Sequence, residues 1–168
     1  MRKIKLTQGK WAIVDDEDFD RLSEFRWQAT RGLTTWYAKR SYYIKGSSPA
    51  KWGIELMHRV VIDAKPGMLV DHINHNGLDN RKENLRACST SQNQGNRRKS
   101  KSNKSGYKGV AWHPLVNKWE VRIRKDRRQV TIGYFTNKKA AARAYDEAAT
   151  RLFGEYALLN LHRRQSNL

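Results

Sequence analysis

Short apolar runs broken by polar clusters set the rhythm of the first two thirds of this 168-residue chain. Residues 4–6 (IKL) and 11–14 (WAIV) read as strands. Residues 15–20 are acidic, as suits the first turn of a helix, and Phe19, Leu22 and Phe25 follow at helical spacing on one face. Residues 27–29 and 35–43 predict a hairpin around Arg31 and Gly32, and residues 46–49 a loop. A strand is expected over 54–57, a short helix over 58–62, and a turn at Pro66 and Gly67. The apolar run 68–70 ends at Asp71 and His72, and a loop rich in Asn, Gly and Asp follows. Asn84 then opens a second apolar run over 85–88, and Ser89 and Thr90 start a helix that contains Asn93. Trp11, Phe19, Phe25, Trp27, Trp36, Tyr37 and Trp52 offer stacking surfaces, but core packing is the expected role for most of them.

The last third has a cleaner pattern. Residues 108–112, 118–125 and 129–134 predict three strands, with Asn117 and Asp126 in the turns. Asn137 starts a helix to about residue 153, with an apolar stripe of Ala141, Ala144, Tyr145, Ala148, Ala149 and Leu152 and a closing Gly154. In the second strand, alternation sends Trp119, Val121 and Ile123 to the helix side and Lys118, Glu120, Arg122 and Arg124 outward. Residues 97–106, RRKSKSNKSG, hold nothing apolar and read as a linker that can also lie along a phosphate backbone. The expected organisation is α+β. A mixed strand and helix domain covers 1–96, a basic linker 97–104, and a three-stranded antiparallel sheet packed on one helix 105–162.

Charge then points to the partner. The chain has 34 Lys and Arg against 16 Asp and Glu, a formal net charge of +18. Residues 1–94 hold 16 basic and 11 acidic side chains, a net of +5, and residues 95–168 hold 18 and 5, a net of +13. Such an excess implies a nucleic acid, with most of the electrostatic affinity in the C-terminal part. The single cysteine, Cys88, excludes an internal disulfide and any cysteine-based zinc site. No apolar signal core opens the chain and no run reaches a membrane span, so a soluble, cytoplasmic protein without a membrane or small-molecule partner is expected.

The stretch 71–93 carries the candidate chemistry. A carboxylate (Asp71), an imidazole (His72) and an amide oxygen (Asn93) come from a strand end and a helix. In an ideal strand Asp71 and His72 point to opposite sides, so a twist or bulge at the strand end is needed for both to serve one site. Neutral imidazole can take a proton from water near pH 7, and few protein oxygens plus waters suit Mg²⁺. An Asp-His pair in a polar loop also has a purely structural reading.

The pattern DH, then DNRxxNLR, then SxxN resembles the HNH endonuclease family, in particular the homing nucleases of phages. His58-Arg59 and the opening LTQGKWAIVDDEDF share the resemblance, which covers nearly all of 1–98. It implies a ββα-metal core at about 67–98, with His72 as general base, Asp71 and Asn93 holding Mg²⁺ (or Mn²⁺), and Asn84 bracing the loop of the catalytic motif. Arg81 and Arg86 are candidate phosphate contacts; His58 is expected to pack or orient, and His75 has both a DNA-contact and a solvation reading. The paired cysteines of zinc-braced relatives are absent.

SGYKGVAW, NKWEVRIR, IGYF and AARAYDEAATRLFGEYALLNL resemble the Apetala-two (ethylene-response) DNA-binding domain over 105–161. That resemblance implies a sheet that reads the major groove through Lys108, Arg122, Arg124 and Thr131; Arg97 and Arg98 of the basic linker are further candidate DNA contacts. Trp112 has two readings, stacking on DNA or packing at the strand end. Ala111, Arg122 and Thr131 stand where the plant domains have arginine, glutamate and tryptophan, so the plant target does not carry over. Together these readings imply a site-specific, metal-dependent endonuclease acting on double-stranded DNA as a monomer. A DNA-binding regulator with a decayed nuclease domain, or an RNA-binding structural protein, are the alternatives.

Overall fold

Alternating strands closed by turn residues build most of the architecture. The structure, a computed structural model, describes residues 1–46, 48, 49 and 51–161. Among the described residues there are four small antiparallel sheets and four α-helices, a mixed fold. The chain divides into two compact units, Met1–Cys88 and Ser89–Leu168.

In the first unit, β1 (Arg2–Lys5) pairs with β2 (Trp11–Val14). Helix α1 (Asp16–Ser23) carries Asp16, Glu17 and Asp18 in its first turn, where carboxylates meet the positive helix end. Leu22 is fully buried, but the helix stops at Ser23, so Phe25 leaves the expected helix face. It is exposed, with the Arg40 guanidinium 3.6 Å over its ring. Strands β3 (Gln28–Arg31), β4 (Trp36–Ile44) and β5 (Lys51–Leu56) form a three-stranded sheet, followed by α2 (Met57–Val61). Strands β6 (Leu69–His72) and β7 (Leu85–Cys88) form a separate pair. The core gathers Leu6, Val14, Leu22, Trp27, Ala38 and Met57. Trp27 packs as expected and Phe19 and Trp36 border the core, while Trp11 and Trp52 are exposed.

The second unit opens with α3 (Thr90–Asn96), nucleated by a capping box in which Ser89 and Gln92 satisfy each other's backbone N–H groups. Gly95 lies so close to Phe153 that a β-carbon would sit 2.8 Å from its ring. Residues 89–96, read from sequence as part of the first domain, therefore pack with the second unit. Strands β8 (Val110–His113), β9 (Lys118–Lys125) and β10 (Arg128–Phe135) lie in the order β10-β9-β8. Helix α4 (Lys138–Phe153) crosses them, its first turn capped by the Asn137 side chain, which accepts from Lys139 and Ala140. Ala141, Ala142, Tyr145, Ala148, Ala149 and Phe153 are buried; Ala144 and Leu152 of the expected stripe are partly covered.

The end of the expected linker is built into the fold. The Asn103 amide donates to the Tyr107 carbonyl at 2.9 Å and accepts from Gly106 N at 2.8 Å, and Ser105 is buried. Composition missed this because polar side chains here satisfy backbone groups of a turn rather than water.

Candidate active site and nucleic-acid interface

Strand pairing fixes the first site. Asp71 stands opposite Arg86 and His72 opposite Leu85 in the β6–β7 ladder. Arg86 donates to Asp71 Oδ2 from Nε at 3.0 Å and from Nη2 at 2.9 Å. Both partners are largely buried, with side chains 13% and 7% exposed, so the pair is shielded from solvent. His72 is 6% exposed. Its ring meets His58 edge-on at a centroid distance of 5.0 Å and Tyr37 at 5.8 Å. Tyr37 and His58 contact each other at 5.7 Å, closing a three-ring cluster.

Burial decides the charge state of these imidazoles. Desolvation lowers the His72 pKa, against the opposing pull of Asn80, Asp71 and Asp79. Burial pushes His58 further down, to about 3, helped by the neighbouring His72 and Arg59. Both are neutral near pH 7, the form in which an imidazole can accept a proton. The Asn80 amide approaches His72 and favours its protonated form, although neither amide atom reaches full hydrogen-bond geometry.

The loop after β6 is held from inside. Asn84 accepts from Asn74 N at 2.9 Å and donates to the Asp79 carbonyl at 2.8 Å, spanning the loop with one side chain. The buried Asp79 accepts from Asn74 and from Arg81, which holds its carboxyl below the usual range. Asn80 N donates to Ile13 O at 2.7 Å and Lys82 N to Asp15 Oδ2 at 2.8 Å, tying the loop to β2 and the start of α1. His75 takes φ 62° at the loop turn, and its N–H donates to the His72 carbonyl. The acidic run at 15–20 thus anchors the loop as well as starting a helix. Asp79 and Asn80 lie within the DNRxxNLR pattern but received no individual role from sequence, and Tyr37, 35 residues from His72, was read only as one of the aromatics.

Asp71 offers one hard carboxylate, and among the described residues no group of three His, Cys, Asp or Glu gathers to hold a metal. Such a donor set fits a cation that takes most of its ligands from water and phosphate, as Mg²⁺ does. Asn93, the other expected ligand, sits on α3 in the second unit, where its backbone N–H donates to Ser89 O. Arg81 and Arg86 are both committed to carboxylates, Arg81 to Asp79 and Glu83, and Arg86 to Asp71.

The second unit presents a sheet face. Register places Arg122 opposite Thr131, and Arg124 opposite Gln129, on the face away from α4. Glu120 shares that face but is only 4% exposed, contrary to the outward position expected of it. It is paired with Arg122 at 2.5 Å and accepts from Thr131 at 3.3 Å. Arg122 holds the Glu120 carboxyl below its usual range. Trp112 instead pairs with Trp119 and shares the helix side with Val110 and Val121, so it does not lie among the arginines. It is nonetheless 48% exposed, at a strand end. Lys108 turns inward: its Nζ donates to the carbonyls of Gln94 and Gly95 at the end of α3, and burial lowers its pKa to about 8. Arg97 and Arg98 are exposed after α3.

Comparison with known proteins fits both regions. Residues 55–94 match the HNH endonuclease family model, a stretch that contains His58, Asp71, His72, Asn84 and Asn93. The chain is similar to an uncharacterized HNH endonuclease of Acanthamoeba polyphaga mimivirus, 28% identical over 156 residues, covering 91% of this chain and 76% of that protein. It is also similar to APETALA2-like protein 2 of Oryza sativa, 39% identical over 66 residues, or 39% of this chain and 15% of that protein. An AP2-like ethylene-responsive transcription factor of Arabidopsis thaliana is 41% identical over 64 residues, 38% of this chain and 13% of that protein. The chain carries an HNH endonuclease domain and is thereby an enzyme of the DNA nuclease class. The plant similarity is AP2-like and partial, confined to about two fifths of this chain. No helix among the described residues is long and apolar enough to cross a membrane.

Proposed function

We propose that this chain is a site-specific, divalent-metal-dependent endonuclease of homing type acting on double-stranded DNA. The observation that carries the reading is a buried, neutral His72 beside the Asp71–Arg86 pair, inside the stretch that matches the HNH endonuclease model. His72 takes the proton from a water, and that water's oxygen attacks the phosphorus as the bond to the leaving sugar oxygen breaks. Tyr37 and His58 hold the His72 ring by packing, and their burial keeps it from protonating near pH 7. Asn84 fixes the loop that follows His72.

Asp71 is the proposed carboxylate ligand for Mg²⁺ or Mn²⁺; Asn93 is named as a further ligand by the sequence resemblance alone. A cation held there would supply neutralisation of the negative charge that develops as the phosphodiester bond breaks. Arg122, Arg124 and Thr131 are proposed to read DNA, with Arg97 and Arg98 contacting phosphates; Lys108 and Trp112 are weaker members of that set, given their placement. Supercoiled plasmid incubated with and without Mg²⁺ tests the reading. Metal-dependent nicking or linearisation is expected, and DNA binding without cleavage under any divalent metal would favour the regulator instead.

A further inference from the structure

Beyond the active site and the C-terminal face, the first unit carries a third surface with its own chemistry. Strands β4 and β5 continue past the core as a two-stranded ribbon, in register from Lys39↔Leu56 to Ile44↔Lys51. Tyr42, Tyr43, Ile44, Trp52 and Ile54 are all exposed there, Trp52 at 68%. Soluble surfaces rarely gather so many large apolar side chains without a partner. The cluster is built rather than loose. The Tyr43 and Trp52 rings meet edge-on at 5.8 Å, and the Tyr42 ring lies over Gly53, where a β-carbon would come within 2.3 Å of it.

Strand geometry ties this ribbon to the active site. Side chains two apart on a strand share a face. Tyr37, which touches His72 and His58, therefore shares its face of β4 with Lys39, Ser41 and Tyr43, and cross-strand pairing adds Trp52 and Ile54. From Tyr37 to Tyr43 is six residues, about 20 Å of strand at roughly 3.3 Å each. That is about six base pairs at roughly 3.4 Å of rise.

Charge selects the occupant. Residues 39–55 hold Lys39, Arg40, Lys45 and Lys51 against the single acid Glu55, which Arg40 pairs at 2.6 Å. A second copy of a chain with net charge +18 would bring like charge to a basic ribbon, whereas a polyanion is complementary. A two-stranded β-ribbon also fits the major groove of B-DNA.

We propose that the β4–β5 ribbon is a DNA-gripping arm of the nuclease unit, seated in the major groove about six base pairs from the scissile phosphate. This rests on the endonuclease reading above and adds a contact that the C-terminal sheet does not supply. Lys45 and Lys51 at the tip neutralise backbone phosphates, and Tyr43, Trp52 and Ile54 make the apolar contact within the groove.

The test uses the full chain, a mixed-sequence 30-base-pair duplex for binding, and supercoiled plasmid with Mg²⁺ for cleavage. Tyr43→Ala/Trp52→Ala should weaken duplex binding about tenfold. Lys45→Ala/Lys51→Ala, which removes no packed ring, should lower the log–log salt slope by about 1.8. Lys5→Ala/Lys65→Ala, equal in charge but off the ribbon, should leave binding closer to wild type. Wild-type affinity and slope in both ribbon variants, with wild-type protein cleaving the plasmid, would overturn the arm and leave the nuclease standing. Equal losses in the off-ribbon control would also overturn it, since charge alone would then explain the effect. Light scattering that shows a wild-type dimer split by Tyr43→Ala/Trp52→Ala would make the ribbon a protein interface instead. If the wild-type protein neither binds nor cuts DNA, the endonuclease reading fails and the arm with it.

Discussion

Each unit of this protein pairs an arginine with a carboxylate in a small antiparallel sheet, and the two pairs sit in opposite environments. Asp71 and Arg86 face each other across β6 and β7 with side chains 7% and 13% exposed. Glu120 and Arg122 sit two apart on β9, the glutamate buried but the arginine side chain 46% exposed. The first pair is sealed next to a desolvated imidazole. Charges there are felt strongly because little water screens them. The second leaves a guanidinium half in solvent, held by one side and presented on the other. Chemistry on a phosphate wants the first environment, and recognition of a polyanion wants the second.

The largest effect should separate chemistry from grip. His72→Ala is expected to slow plasmid cleavage by roughly 10²–10⁴ while leaving affinity for duplex DNA near wild type. Parallel losses in cleavage and binding would show that the sealed site grips rather than cuts. Next, Arg86→Ala strands a buried carboxylate and should cost about 3–5 kcal/mol of folding stability. Arg122→Ala removes the side chain that covers Glu120 and so opens that carboxylate to water, and should cost under about 1 kcal/mol. Urea unfolding of the two variants measures both, and equal costs would erase the distinction between the pairs.

On the recognition side, Arg124→Ala should lose about 1–3 kcal/mol of discrimination between sites without slowing cleavage of the best site at saturation. Cleavage of a randomised duplex library, sequenced at the cut ends, reads this directly; an unchanged preference would remove the outer sheet face from target reading. The last effect concerns pH. His58 titrates at about 3 in the fold against about 6.5 in the unfolded chain. Its lowered value contributes stability that is complete above pH 6.5 and is lost as pH falls toward 3. Stability should therefore drop by about 1.4 kcal/mol per pH unit below about 6.5, beyond what His58→Gln shows. Denaturation of both proteins at pH 7 and 5.5 measures the difference, and identical pH dependence would place His58 in contact with water.

Legibility differed between the units for a physical reason. In the second, contacts are local in sequence: three consecutive strands and a helix, with Asn137 and Gly154 marking the helix ends. Alternation in β9 correctly sent Val121 and Ile123 inward. It failed at Glu120, because a side chain on an outer face can still be covered by its own neighbours, here Arg122 and Thr131. It also could not tell that Lys108 folds back onto the carbonyls of α3.

The strand end at Asp71 and His72 in the first unit, and the helix start at Ser89 that opens the second, were visible as local pattern, while the bracing role of Asn84 came from the family resemblance. Local pattern carries such features because strand ends, turns and caps depend on residues within a few positions. What packed around them was not visible. Tyr37 reaches His72 from another sheet, Asp15 holds Lys82 across 67 residues, and Ile13 bonds the loop at Asn80. The sequence by itself determined which residue types and elements are present, the basic excess, and the motif that places an acid beside an imidazole. Only the tertiary structure decided which of those charges lose their water, because desolvation depends on everything that closes around a side chain, and most of that comes from far along the chain.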